Sequence, residues 1–359
     1  MKEICAVLII TLSTQGYWFG GREGTVSLHW PVKEENREAV LIWELLYGNI
    51  KIKTGRFAIE VGEKPIEIKI KTPEVRVRTS MRWECRLEEK KSGEVIAKGT
   101  ASINLFPQDI ITKLPRILED RSIMVCDQVQ DLAGFLGKNR VPFRTAHDIS
   151  AFQTAQPDII LIGPDQIREG VFRQVPVISQ VESGSRVLIL AQHKTKTLAG
   201  YPLVYRTVPR RGFERRTHPL LKGFWTSDLL SLPAMGKDGC MGIRLPADEP
   251  VLKIAWWQPE IQTWLEPEIQ SEIPGWYPVP VDAMIISKTI GKGRLVLCQI
   301  PLGPWKDDPR TQMFLGNALE YLSGTIEPTL RPSKREEALK RIKPAKKEKN
   351  LLPLPGDKP

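Results

Sequence analysis

The turn Ala191-Gln192-His193-Lys194 is the place where this chain could carry out chemistry, because it follows an apolar run typical of a buried parallel strand. In a doubly wound α/β domain, the turn after such a strand faces the crevice where ligands and nucleophiles lie. A Ser or Cys on a glycine-flanked elbow would predict covalent catalysis there. This turn has neither residue, so the sequence predicts the scaffold of an enzyme without its nucleophile.

Tryptophans give the positive indication of ligand binding, since six of the ten fall between residues 225 and 305, in the last predicted domain. Indole rings stack well on sugar faces, and neighbouring carboxylates can accept hydrogen bonds from sugar hydroxyls. Packing inside the domain or against a partner is the alternative reading of the same tryptophans. The predicted ligand-binding residues are Trp256, Trp257, Trp264, Trp276, His193 and Asp282.

An enzymatic alternative uses three polar residues around the predicted crevice. Asp228, Asp282 and His193 are the first candidates for acid–base work on a sugar, provided that they share one pocket. The five cysteines are scattered and show neither Cys-x-x-Cys nor Cys/His spacing, which predicts no metal site and no disulfide framework. Cys240 lies between glycines but has no neighbouring base, so we do not expect it to be a nucleophile. No cofactor is expected.

The net charge of +10 comes mostly from the end of the chain. Residues 331–359 hold ten Lys/Arg and four Asp/Glu, and they lack the aromatic residues that stack on bases. We therefore predict a basic, disordered tail over residues 326–359 and no nucleic-acid partner.

An apolar run over residues 4–12 is either a signal-peptide core or a strand at the edge of a domain. The run is too short to span a bilayer, so no integral membrane segment is predicted. The location is extracytoplasmic if residues 1–16 act as a signal and cytoplasmic otherwise. Residues 1–24 are treated as a separate N-terminal segment.

Residues 25–106 read as an all-β domain, because short alternating runs are separated by turn residues. Trp43 and Trp83 are candidates for its core. This pattern predicts a β-sandwich of immunoglobulin type. The predicted strands cover residues 26–30, 39–46, 56–61, 65–71, 75–78, 81–87 and 95–104.

A proline-bearing linker over residues 107–120 precedes an α/β domain over residues 121–325, where strands alternate with helical periods. Strands are predicted at 122–126, 142–146, 158–163 and 186–190, and helices from about Val129 to Leu136 and over 171–181. Glycines 291 and 293 predict a hairpin between strands at 283–288 and 294–300. The last helix is bounded by Asp308 as N-cap, Pro309 at its first position and Gly324 at its end.

Several of these stretches also carry a family resemblance. They are Trp43-Glu44 through Trp83, residues 122–190, His218-Pro219-Leu220-Leu221-Lys222-Gly223, and residues 288–299. Over roughly residues 25–325, the chain resembles the C-terminal accessory region of bacterial proteins related to glycoside hydrolase family 2, the β-galactosidase-like proteins. The resemblance implies an immunoglobulin-like sandwich followed by a flavodoxin-like domain of the class I glutamine-amidotransferase type, similar to trehalose-utilisation proteins.

The chain departs from that family at the catalytic positions. The amidotransferases carry a Cys on a tight elbow and a later His-x-Glu pair, whereas this chain has Ala191-Gln192 and then residues 301–304, Pro-Leu-Gly-Pro. The glycosidase activity of the larger relatives belongs to a barrel domain with two carboxylates, for which this sequence has no counterpart.

The leading hypothesis is therefore a pseudoenzyme: a non-catalytic accessory protein linked to carbohydrate processing. Its expected partners are a carbohydrate ligand and a glycoside hydrolase or another protein. One alternative is a sugar-modifying enzyme of the trehalose-utilisation type with an unrecognised site. The other is a scaffold that docks to a protein through the Trp-rich segment 256–276.

Overall fold

A computed structural model describes most of the chain up to residue 324. The described residues are 6–7, 9–29, 37–61, 65–128, 131–153, 155–167, 175–206, 212–214, 217–225, 228, 240–246, 249, 251–257, 281–303 and 305–324. They belong to one compact unit, Met1–Ile326. The predicted tail lies outside the described residues, and the predicted domain boundaries remain predictions.

Two sheets pack around a shared apolar core in the first part of the chain and form a β-sandwich. One sheet has the order β1-β9-β8-β5-β6 with β3 beside β9, and the other has the order β2-β4-β7. The strands are β1 (Ala6–Val7), β2 (Ile9–Leu12), β3 (Tyr17–Phe19), β4 (Glu23–His29), β5 (Arg37–Tyr47), β6 (Ile50–Val61), β7 (Ile66–Lys71), β8 (Thr79–Glu89) and β9 (Val95–Phe106). Part of the N-terminal apolar run is thus a strand, since β2 pairs with β4.

Three tryptophans are buried in the sandwich, and two of them, Trp43 and Trp18, pack where glycines leave room for the ring. The predicted burial of Trp43 and Trp83 is confirmed. The indole of Trp43 lies against the α-carbon of Gly55 on the neighbouring strand, and the indole of Trp18 lies against Gly24. Any side chain at these glycines would overlap the ring, so the glycines shape the core of the sandwich.

The prediction of a strand at residues 75–78 is wrong. These residues form an irregular segment that leads into β8, although their sequence alternates as a strand would. The side chain of Arg78 binds Asp228, 150 residues away, instead of facing solvent on a sheet. Alternation alone could not reveal this contact.

The later part of the chain contains one mixed sheet with the order β11-β10-β12-β13-β20-β19-β17-β15-β14, in which β18 also pairs with β19 and β16 with β18. The strands are β10 (Ile123–Cys126), β11 (Arg144–Ala146), β12 (Ile159–Ile162), β13 (Arg186–Ile189), β14 (Thr197–Leu198), β15 (Tyr201–Arg206), β16 (Gly212–Glu214), β17 (Cys240–Leu245), β18 (Leu252–Trp257), β19 (Val281–Ile290) and β20 (Gly293–Cys298). The five strands from β11 to β20 are parallel, and β19 runs antiparallel to β20. The predicted hairpin is confirmed.

Four helices are described, and the molecule as described is richer in strands than the sequence pattern predicts. The helices are α1 (Leu114–Ile117), α2 (Asp131–Lys138), α3 (Val175–Ser183) and α4 (Pro309–Ser323). Strands β14 to β18 were not expected, because their apolar residues are interrupted by Pro, Gly and charged residues. They extend the sheet on its antiparallel side.

The ends of α4 are the ones that the sequence predicts. The side chain of Asp308 accepts a hydrogen bond from the backbone N–H of Arg310, and Gly324 ends the helix in the left-handed conformation. Arg186 and Arg121 then donate to the carbonyl oxygens of Leu322 and Ser323. Because nearly all of α4 is buried, it is a central packing element.

The predicted linker contributes side chains to the core of the second part. Ile111, Leu114 and Leu118 are buried in the same apolar cluster as Leu315 and Leu319 of α4. No helix in the described part of the chain is long and apolar enough to cross a bilayer.

Candidate functional site

Polar side chains gather where four parallel strands end. Strands β10, β12, β13 and β20 present their carboxyl ends at the same edge of the sheet, which is where α/β sheets place their ligand sites. We call the residues that follow these strands the carboxyl-edge cluster. Its members are Asp127, Gln128, Asp165, Gln166, Gln192, His193 and Gln299.

Gln192 lies in the turn after β13, and its side chain is fully buried. Its Oε1 accepts a hydrogen bond from the backbone N–H of Ile167 at 2.8 Å. Its Nε2 donates to the carbonyl oxygens of Gly163 at 2.8 Å and Leu190 at 2.7 Å. Each amide atom is thus bound to the backbone, so Gln192 ties the loop after β12 to the end of β13.

Replacing Gln192 with Leu should lower the free energy of unfolding by about 2 kcal/mol, since buried backbone donors and acceptors lose their partner. Urea denaturation of the purified protein measures this change. Gln128→Leu is the matched control, because Gln128 is exposed and its Nε2 makes only a 3.3 Å bond to the His147 carbonyl. Equal stabilities for the two variants would contradict the structural role of Gln192.

Gln299 holds the backbone of Gln192 from the next strand. Its Oε1 accepts a hydrogen bond from the N–H of Gln192 at 3.1 Å, which fixes the orientation of the amide. Its Nε2 is buried and has no hydrogen-bond partner among the described residues. The cluster therefore contains one buried donor whose acceptor is not supplied by the part of the chain that the structure describes.

Asp165 and His193 form the exposed part of the cluster. The Oδ1 of Asp165 accepts a hydrogen bond from the backbone N–H of His193 at 2.6 Å and lies 3.5 Å from its Nδ1. Asp165 adopts a left-handed backbone conformation with φ of 56°, which costs energy in a residue other than glycine. With 43% of its side chain exposed, His193 is accessible for a hydrogen bond with the hydroxyl of a ligand.

Asp127 adds a second carboxylate at the first strand end. Its Oδ2 accepts a hydrogen bond from the N–H of Ala133 in the first turn of α2, at 3.1 Å. Gly163 lets the two loops approach, because a side-chain carbon there would come within 2.9 Å of the Asp127 Oδ1. Two carboxylates and several amides favour a neutral, hydroxyl-rich ligand over an anion at this edge.

The three residues proposed for acid–base catalysis are each held by a different partner. Asp282 on β19 is bound by Arg244 of β17, with Nε 2.9 Å from Oδ1. Asp228 is bound by Arg78, and His193 faces Asp165. Both aspartates are therefore engaged in ion pairs. Of the three residues, only His193 belongs to the carboxyl-edge cluster.

Only some of the predicted ligand-binding tryptophans lie within the described part of the chain. Trp256 is half-buried and packs against the apolar core beneath the sheet, and the backbone of Trp257 pairs with Gly212. The side chain of Trp257, together with Trp264 and Trp276, lies outside the described residues. Of the other two late tryptophans, Trp305 is buried and Trp225 is exposed.

Burial keeps the described thiols protonated. It raises the pKa of Cys126 to about 11 and the pKa values of Cys85 and Cys298 to about 12, and the thiolate is the form that reacts. Among the described residues, no group of three or more His, Cys, Asp or Glu side chains could hold a metal ion.

In the double variant Cys5→Ser, Cys240→Ser, the remaining thiols of the folded protein should hardly react with an aromatic disulfide reagent at pH 8. Almost no coloured product should therefore form. Unfolding it in guanidinium should then expose three reactive thiols, because the raised pKa values and the burial exist only in the folded state. Because the unfolded thiols ionise at lower pH, stability should also fall as the pH rises above 9. Rapid reaction of a folded thiol at pH 8 would contradict this prediction.

A second polar cluster, not anticipated from the sequence, joins the sandwich to the later part of the chain. Arg78 makes a two-pronged ion pair with Asp228, in which Nη2 lies 2.9 Å from Oδ1. Arg310, fully buried, is paired with Asp308 and lies 3.8 Å from the centre of the Tyr17 ring. We call Tyr17, Arg78, Asp228, Asp308 and Arg310 the junction cluster.

The junction cluster could not be found from local patterns. Two of its hydrogen bonds join residues that are 150 and 211 positions apart in the chain. Arg310 also donates to the backbone oxygen of Asp228, at 3.3 Å, which connects the two ion pairs. The sequence singles out Asp308 as the N-cap of a helix and Asp228 as a candidate for acid–base chemistry, but neither signal predicts the cluster.

No family model and no curated protein matches the chain. Solved structures align at low similarity. A β-glucuronidase from glycoside hydrolase family 2 aligns at 9% identity, over 54% of this chain and 21% of the enzyme, with a TM-score of 0.22. A putative β-galactosidase from Bacteroides fragilis aligns at 9% identity, over 51% of this chain and 38% of that protein, with a TM-score of 0.19.

A CARDB domain of a Pyrococcus furiosus protein, solved with two metal ions, aligns at 7% identity over 28% of this chain and 94% of the domain, with a TM-score of 0.21. The chain spans well under half the length of the two hydrolases. At these scores the alignments assign neither a fold nor an activity to this chain.

Proposed function

We propose that this protein is a non-catalytic accessory protein linked to carbohydrate processing, built from an immunoglobulin-type sandwich and an amidotransferase-like α/β domain. The observation that carries the proposal is the state of Gln192. Its side chain stands where the nucleophile of an amidotransferase would stand, and backbone groups occupy both of its amide atoms. That position therefore serves folding, since a nucleophile must be free to attack a substrate.

The order of the parallel strands supports the flavodoxin-like assignment of the second domain. Numbered along the chain, β10, β11, β12, β13 and β20 lie in the order 2-1-3-4-5, which is the doubly wound order of flavodoxin-like domains. The antiparallel strands beyond β20 extend this core. The carboxyl-edge cluster then lies on the side of the sheet where such domains bind their ligands.

The link to carbohydrate is supported by the chemistry of the carboxyl-edge cluster and by the resemblance to proteins related to glycoside hydrolase family 2. Asp127 and Asp165 can accept hydrogen bonds from sugar hydroxyls, and His193 can donate or accept one. Trp256, Trp257, Trp264, Trp276 and Asp282 remain proposed contributors to binding. A glycoside hydrolase or another protein remains the proposed partner.

The test combines a search for turnover with a search for binding. Purified full-length protein is incubated with aryl glycosides and with glutamine, and titrated with a panel of oligosaccharides while tryptophan fluorescence is recorded. We expect no turnover and a saturable fluorescence change with one class of sugar. Turnover that survives purification and is lost in Asp165→Asn or His193→Ala would overturn the non-catalytic assignment.

A sugar-modifying enzyme is the second candidate, and the Asp165–His193 pair is the observation that favours it. An exposed imidazole beside a carboxylate on a strained turn is a plausible acid–base pair. In that case turnover of a sugar substrate would be lost in both Asp165→Asn and His193→Ala. The docking alternative through residues 256–276 falls almost wholly outside the described residues.

A further inference from the structure

Trp225 exposes a large aromatic surface beside the junction cluster. Its side chain is 48% exposed, and Val77, next to Arg78 in the chain, is 71% exposed. An indole ring left in water forgoes the favourable free energy of burial. Exposed tryptophan rings are enriched at binding interfaces, because part of the side chain is apolar and its N–H can form a hydrogen bond.

The ring of Trp225 is held in place before any ligand arrives. The guanidinium of Arg78 lies 3.8 Å from the centre of the ring, and Asp228 fixes that guanidinium with a two-pronged ion pair. The backbone N–H of Trp225 also donates to the Oδ2 of Asp228, at 2.5 Å. A ring that is already ordered loses little entropy when a ligand stacks on it.

The same contacts limit the chemistry of the ligand. Because a cation already lies over one face of the ring, a second cation gains little from the opposite face. A neutral, flat molecule with an apolar face is favoured instead, and the C–H face of a pyranose ring meets this description.

A hydrogen-bond donor close to the ring also lacks an acceptor. The side chain of Arg78 is nine-tenths buried. Its Nε is also buried and has no hydrogen-bond partner among the described residues. Unpaired buried donors are rare in folded proteins and need an explanation such as a bound water or ligand.

From these contacts we propose that Trp225 is the stacking platform of a carbohydrate-binding site at the junction between the sandwich and the later part of the chain. The ligand class is a neutral oligosaccharide. This inference rests on the proposed carbohydrate-linked function and gives it a specific binding residue.

The test follows the indole N–H signals of the full-length protein labelled with ¹⁵N-tryptophan. Neutral hexasaccharides of β-1,4-glucose, α-1,4-glucose, β-1,4-mannose and β-1,4-xylose are the probes, and a six-residue oligothymidylate is the aromatic comparison. The signal lost in Trp225→Tyr identifies Trp225. We expect one saccharide series to shift this signal saturably, and Trp225→Ala to weaken its binding about tenfold or more, as loss of a stacking partner does elsewhere.

Tyr205→Ala is the matched control, because Tyr205 on β15 is also an exposed aromatic residue, at 57%. The saccharide affinity of Tyr205→Ala should stay within about twofold of the wild type. The affinity of Trp225→Tyr, which keeps a flat ring, should fall between those of the wild type and Trp225→Ala. The remaining indole signals report whether each variant is folded. If Trp225→Ala perturbs them, the comparison of Trp225→Tyr with Tyr205→Ala decides.

The outcomes separate this inference from the broader function. Saccharide binding that is unchanged in the Trp225 variants would overturn the platform and leave the carbohydrate-linked function standing. If no saccharide shifts any indole N–H signal, both the stacking platform and the carbohydrate-linked function are overturned. A shift with the oligothymidylate alone would overturn the assignment of a sugar ligand.

Discussion

Gly293→Ala should destabilise the folded protein by about 3 kcal/mol or more, because a methyl group at this position meets main-chain atoms. Gly293 begins β20, and a side-chain carbon there would overlap the carbonyl oxygens of Val181 and Ser185. Neither oxygen can move alone, since Val181 lies in α3 and Ser185 lies in the short turn between α3 and β13. Relief would require α3 to separate from the sheet, with the loss of its buried apolar contacts.

Gly134→Ala provides the control for this substitution. Gly134 lies in α2, is exposed, and has nothing within 4 Å of the place where a side-chain carbon would be. Alanine should therefore stabilise the protein by about 0.5–1 kcal/mol through its higher helix propensity. Urea denaturation followed by far-ultraviolet circular dichroism measures both changes. A Gly293→Ala variant as stable as wild type would show that α3 does not pack on β20 as described.

The elements that the sequence predicts best are those whose signals are local. The alternation of 65–71 predicts β7, the glycines at 291 and 293 predict the hairpin of β19 and β20, and Asp308 and Gly324 mark the ends of α4. Each signal depends on residues that are neighbours in the chain. Short-range sterics and hydrogen bonding decide these structures, so one sequence suffices to find them.

The features that the sequence does not predict depend on distant contacts. Residues 75–78 alternate like a strand, but the ion pair of Arg78 with Asp228 holds them outside the sheet. The sequence predicts that Gln192 follows a buried strand, whereas its three hydrogen bonds to the backbone follow only from the packing of two strand ends. Trp264 and Trp276, predicted from the sequence to bind a ligand, lie outside the described residues.

Breaking the Arg78–Asp228 pair should cost about 3–5 kcal/mol, since removing one member leaves the other charge buried and unpaired. Arg78→Met removes the charge and keeps much of the apolar stem of the side chain. Asp228→Asn keeps an acceptor for the backbone N–H of Trp225 but loses the ion pair and the hydrogen bond that the Tyr17 hydroxyl donates to Oδ1. Because each substitution removes the same interaction, the double variant should be less destabilised than the sum of the two single variants.

The position of this pair makes a second result testable. Arg78 belongs to the segment before β8 of the sandwich, and Asp228 is joined through its backbone oxygen to Arg310 at the start of α4. If the pair couples the two parts of the molecule, wild type should unfold in one transition and Arg78→Met in two, with different midpoints by fluorescence and circular dichroism.

Lys51→Met serves as the reference, because the pair of Lys51 with Glu44 is exposed and should contribute less than about 1 kcal/mol. High salt should leave the stabilising contribution of the Arg78–Asp228 pair nearly unchanged, since buried charges are poorly screened. A single transition and a loss below 1 kcal/mol in Arg78→Met would mean that apolar packing, rather than this ion pair, joins the sandwich to the sheet.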